Sequence, residues 1–146
     1  MIIALLSFLG LILGYILASK VKEELKQGKK LFNILAILIL IFLVIELALS
    51  ARFNFSFLIS LLAGITINYF IKKTYLFLGL IAFSVNFTSN NIILLVSLLI
   101  FIFGLAYGTL NYIKFRKVNL NNIIINFILF ILPFILLLFK NFALNY

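Results

Sequence analysis

The chain contains no cysteine, no histidine and no tryptophan, and no aspartate occurs anywhere along it. Its only acids are Glu23, Glu24 and Glu46. Without Cys there is no disulfide or thiolate, so the sequence carries no sign of a redox compartment. Without His or Cys, zinc and haem sites and the usual nucleophile–base pairs cannot be built. Glu23 and Glu24 are adjacent in a charged stretch while Glu46 lies in an apolar run, so no carboxylate pair is spaced for acid–base work. A Ser–Lys pair is only formally available, because no Lys sits inside an apolar run to act as its base. No enzyme is expected, and no catalytic residue, cofactor or metal ligand is assigned.

Charge is also scarce. Only 10% of the 146 residues are charged, while 66% are hydrophobic. A soluble domain of this size leaves too much surface exposed to hide so much apolar side chain. The apolar residues fall into six runs: Ile2–Ser19, Leu31–Ser50, Ser56–Ile71, Thr74–Phe87, Ile92–Tyr112 and Leu120–Phe139. About 20 helical residues cross a hydrocarbon core roughly 30 Å thick. The sequence therefore predicts an all-α, polytopic membrane helix bundle of about six transmembrane helices, forming one domain over residues 1–146. The middle pair falls short of a full crossing. It reads either as two short spans, aided by flanking residues or local thinning, or as a re-entrant hairpin. The chain leaves and re-enters on one side in both versions.

The basic residues fix the orientation. Lys20, Lys22, Lys26, Lys29, Lys30, Lys72, Lys73, Lys114, Arg116 and Lys117 share one side, and only Arg52 and Lys140 take the other. The positive-inside rule then places both termini outside. Nothing charged precedes Lys20, so the first run reads as a retained anchor rather than a cleaved signal peptide. The net charge of +9 is a topological signal that also attracts anionic lipid headgroups. The inner loops are too short for a nucleic-acid module. Richness in Ile, Asn, Lys, Phe and Tyr points to an AT-rich microbial genome, and the expected location is the cell membrane. The loop Lys20–Lys30 reads as a two-turn extension of the first helix, with Lys20 pairing Glu24 and Gly28 stopping it. The alternative is a docking face of Lys22, Glu23 and Lys26 for a cytoplasmic partner.

Small residues mark close contacts. Gly10, Gly14 and Ala18 form one ladder, and Gly104 and Gly108 another; both are expected packing seams, within one subunit or between two copies. Pro133 falls inside the sixth helix, where it should kink the chain near Leu129. Glu46, about 6 Å from its helix end, is the candidate intramembrane polar site, with Ser50 and Arg52 beside it. It binds a proton or cation in one reading and simply reaches the interface or Arg52 in the other. Asn68, Asn86, Asn111, Asn126 and Thr66 are read as helix-to-helix fixings, with a polar path as the rival. Otherwise the span centres are apolar, and Ala63-Gly64-Ile65-Thr66 is a faint candidate for a broken helix. The preferred expectation is a structural or accessory subunit of a membrane assembly; besides the lipid bilayer, a membrane-protein partner or a homo-oligomer is the expected association. The alternative is a small oligomeric ion or solute transporter coupled through Glu46. A lipid enzyme working through the inner Lys/Arg clusters ranks third.

Overall fold

The computed structural model describes residues 2–21, 25–50, 73–85 and 90–143, and no strand occurs among them. The helices are α1 (Ile2–Ser7), α2 (Leu9–Lys20), α3 (Leu25–Ser50), α4 (Thr74–Val85), α5 (Asn90–Phe115) and α6 (Leu120–Ala143). The apolar run Ser56–Ile71, with Arg52, Thr66, Asn68 and Asn86, lies outside the described residues. Gly28–Glu46 and Asn91–Phe115 are long and apolar enough to cross a membrane. Leu5–Lys20, Thr74–Phe83 and Leu120–Ile135 are apolar but shorter.

Local chemistry explains most of the ends. Phe8 separates α1 from α2 through tight i→i−3 bonds, its N–H donating to Leu5 and its carbonyl accepting from Leu11. Arg116 closes α5 in the left-handed region at φ 54°. Its N–H donates to the Tyr112 carbonyl at 2.7 Å, the single-bond closure more often made by glycine. Asn119 caps α6, its Oδ1 accepting from the Asn122 N–H at 3.2 Å.

The Lys20–Lys30 stretch differs from expectation. Rather than running on to Gly28, α2 ends at Lys20, where the Val21 N–H donates to Leu17 at 3.3 Å. Gly28 lies inside α3, without a positive φ. The long apolar helix that follows propagates backwards over Leu25, Lys26 and Gln27, offsetting the roughly 1 kcal/mol that a helical glycine costs. Glu24, the expected partner of Lys20, lies outside the described residues. Pro133 is buried within α6, which continues through it to Ala143.

The closest contact in the fold is backbone on backbone. A Cβ on Gly10 would fall on the Phe101 carbonyl, and one on Gly14 would fall on the Leu105 carbonyl. From the other side, a Cβ on Gly104 would stand 2.6 Å from the Leu11 nitrogen, and one on Gly108 would strike the Leu11 carbonyl. Both indices rise by four together, so α2 and α5 are parallel. The Thr109 hydroxyl extends the seam, donating to Leu105 at 2.8 Å with Gly14 O at 3.4 Å. A third glycine, Gly79, seats α4 on the Phe130 backbone. The Phe83–Phe134 ring pair at 5.7 Å shows that α4 and α6 also run parallel. Contacts of Phe8 with Phe127 and Phe130, and of Tyr15 with Asn122, set α6 antiparallel to α2. Lys20, Lys114 and the start of α6 consequently share one end, called here the basic end.

Alanine at Gly14 is expected to destabilise the fold by about 1–3 kcal/mol, because backbone must move to admit it. Alanine at Gly28 should instead stabilise by up to about 1 kcal/mol. Its new Cβ meets only the Phe32 ring, at 3.1 Å, which can turn aside. Unfolding titrations of the two variants in mixed micelles read the difference in sign.

Candidate functional site

Toward the basic end, polar side chains from four helices gather behind an aromatic layer. Phe8, Tyr75, Phe103 and Phe130 form that layer. Tyr75 lies edge-on to Phe8 at 5.3 Å and to Phe103 at 6.2 Å. Tyr107 stacks on Phe103 at 5.6 Å and meets Tyr75 edge-on at the same distance. Phe103, Tyr107 and Asn111 recur every four residues, so they share one face of α5. That face is rotated about 100° per residue step from the Gly104/Gly108 face that meets α2. One helix thus serves both the glycine seam and the polar cluster.

A chain of hydrogen bonds ties α2 to α6. Asn122 Nδ2 donates to the Tyr15 hydroxyl at 3.0 Å, and Asn126 Nδ2 donates to Asn122 Oδ1 at 3.3 Å. The Tyr15 oxygen is thereby an acceptor, and its own O–H remains to donate. Two further buried groups have no partner among the described residues: the Tyr75 hydroxyl and Asn111 Nδ2. The phenols of Tyr15, Tyr75 and Tyr107 lie within electrostatic range of one another.

The beginning of α4 opens into this region. Thr74 precedes Gly79 by five residues, whereas Leu120 precedes Phe130 by ten. Since Gly79 packs on Phe130 and the helices are parallel, α4 starts about 7–8 Å short of the α6 start at about 1.5 Å per residue. Its first turn therefore stands within the bundle, preceded by the exposed Lys73.

The residues singled out in the sequence are spread more widely. Glu46 is half-buried near the end of α3. It continues the stripe of Ala36, Ile39 and Leu43 by which that helix buries itself, and it makes no ion pair among the described residues. Ser50 ends α3 one turn beyond Glu46, and Arg52 lies outside the described residues. Gly10, Gly14, Gly104 and Gly108 are brought together in one seam, with Ala18 buried at 1% exposure on the same helix. Asn126 bonds within its own helix, and the cross-helix bond is made by Asn122 instead. Tyr15, Tyr75, Tyr107 and Asn122 join the cluster without any mark in the apolar pattern, because a tyrosine ring is counted with the hydrophobic side chains. The four-residue spacings Phe103-Tyr107-Asn111 and Asn122-Asn126 were the signal available. Among the described residues no group of three or more carboxylate, His or Cys side chains gathers.

A double-mutant cycle on Tyr15→Phe and Asn122→Ala is expected to give a coupling of about 0.5–1.5 kcal/mol, the range for interhelical hydrogen bonds in an apolar surround. Additivity of the two losses in unfolding titrations would remove the bond from the account.

No protein-family model, curated protein or solved structure matches this chain.

Proposed function

We propose that the chain is a multi-pass integral protein of the cell membrane and acts as a structural or accessory subunit of a membrane assembly. The observation that carries the membrane reading is the outer surface of α3. Leu31, Phe42 and Leu49 are 70%, 59% and 73% exposed, and Ile34, Ile37, Leu38, Ile41 and Ile45 stand open beside them. An apolar helix of 26 residues this exposed is not the core helix of a soluble domain, and a bilayer is the solvent it fits. Exposed Leu98 on α5, with Leu120, Ile124 and Ile128 on α6, extends the same surface. In this reading six helical segments cross the bilayer with both termini outside, and the basic end faces the cytoplasm. α4 is the short member, and Lys73 reaches the inner interface along its flexible stem.

The subunit reading is supported by how the interior is used. The middle layer is filled by Phe8, Leu78, Ile100, Phe103 and Phe130, all nearly inaccessible. A carrier needs polar groups or broken helices near the midplane. Glu46 gives the carrier reading its one specific support, because a titratable group on a packing stripe is costly to keep.

Purification in mild detergent or nanodiscs from the native host, followed by mass spectrometry, should return a stoichiometric membrane-protein partner. A clean homo-oligomer would overturn the subunit reading. In proteoliposomes, Glu46→Gln should leave ion and solute flux at the background of empty vesicles, as should the wild type. Flux in wild type that is lost in Glu46→Gln would establish the carrier instead.

A further inference from the structure

Tyr75 is 1% exposed, yet its hydroxyl has no partner among the described residues. Buried polar groups are normally satisfied, so one left open in a packed region calls for a ligand. The groups around it share a sign. Tyr15 has an O–H left to donate because its oxygen already accepts from Asn122. Asn111 Nδ2, one turn beyond Tyr107, is a second open donor. The first turn of α4 is the positive end of a helix dipole, with the Leu76 N–H already donating to the Lys73 carbonyl at 3.0 Å. Lys73 immediately precedes it, and Lys20 and Lys114 close the same end of the bundle. Glu46 lies toward the opposite end of α3 from the Lys29–Lys30 end.

A cation would require carboxylates or a converging set of free oxygens. Here no carboxylate is among the open groups: Asn111 Nδ2 can only donate, and the Tyr15 and Tyr75 hydroxyls can each donate, beside positive charge. The geometry points to a binding site for one oxyanion, a phosphate or carboxylate group, between the first turn of α4 and the Tyr15, Tyr75, Tyr107 and Asn111 side chains. The oxyanion is supplied either by a lipid headgroup at the basic end or by a free solute. The inference goes beyond the subunit reading and does not rest on it, since partner capture and anion binding are separate measurements.

The test compares wild type with Tyr75→Phe, which removes one oxygen and leaves the ring packing in place. Melting temperature is followed in detergent against inorganic phosphate and acetate, with chloride at matched ionic strength, and in nanodiscs of phosphatidylglycerol or phosphatidylcholine. Wild type should be stabilised by phosphate or acetate if the ligand is a free solute, and by phosphatidylglycerol alone if it is a headgroup. Tyr75→Phe should weaken that binding about tenfold, the loss of one hydrogen bond to a charged group, while melting no lower than wild type without ligand. Tyr112→Phe should bind as wild type does. Should Tyr75→Phe fail to fold, Asn111→Leu reads the same loss from α5. Absence of any anion-specific stabilisation of wild type overturns the site. So does stabilisation that survives in full in Tyr75→Phe or, where that variant does not fold, in Asn111→Leu.

Discussion

The arrangement depends on one constraint: the backbones of α2 and α5 touch. Gly10 and Gly14 lie against Phe101 and Leu105, and Gly104 and Gly108 lie against Leu11. Contact this close is available only where Cβ atoms are missing, and in lipid it substitutes for the absent hydrophobic drive between helices. Because the pair is parallel, both helices bring their basic ends to one side. The chain between them must return to its starting side before α5 begins. The charge asymmetry and the seam therefore express the same topology.

The seam also decides where polarity can go. With its 104/108 face closed against α2, α5 turns its 103/107 face to Tyr75 of α4. Aromatic side chains fill that direction near the middle, where Tyr75 meets Phe8, Phe103 and Phe130. Toward the basic end the same stripe becomes Tyr107 and then Asn111, joined by Tyr15 and Asn122. Tyrosine suits such a boundary, since its ring packs as an aromatic while its hydroxyl remains polar. The late start of α4 leaves its first turn among those groups rather than at the end of the bundle.

Helical class was legible in the sequence because unbroken apolar runs have one economical backbone solution. The start of α6 at Leu120 was legible too, as the first residue of an apolar run, whereas its cap at Asn119 is a finding of the structure. The glycine ladders were visible by their four-residue spacing, but which ladder meets which is a tertiary fact that spacing does not carry. Gly28 misled because a glycine near a charged stretch resembles a stop, while the following helix was long enough to run back over it. The polar cluster was missed for a different reason. A hydropathy pattern scores Tyr15, Tyr75 and Tyr107 by their rings, and the hydroxyls matter only once three helices bring them together. Glu46 stands out in the sequence by its charge, while its expected neighbour Arg52 lies outside the described residues.

The distribution of polar groups along the bundle argues for function on one side only. Tyr15, Tyr107, Thr109, Asn122 and Asn126 all fall within about 10 Å of the basic end by helix rise. Beyond them stands the aromatic layer, and past it the only buried polar side chains among the described residues are Ser7 and Ser97. A conduit would need groups able to replace water on both sides of that layer, because crossing it unsolvated costs several kcal/mol per polar group. A one-sided cluster needs none. On the proposal above it can hold a ligand that arrives from the basic end and leaves the same way, because the aromatic layer fills the path beyond. On the membrane reading that ligand reaches the protein from the cytoplasmic face, where the lysines gather. An apolar middle with buried polarity gathered at one end favours the proposed subunit over the proposed carrier.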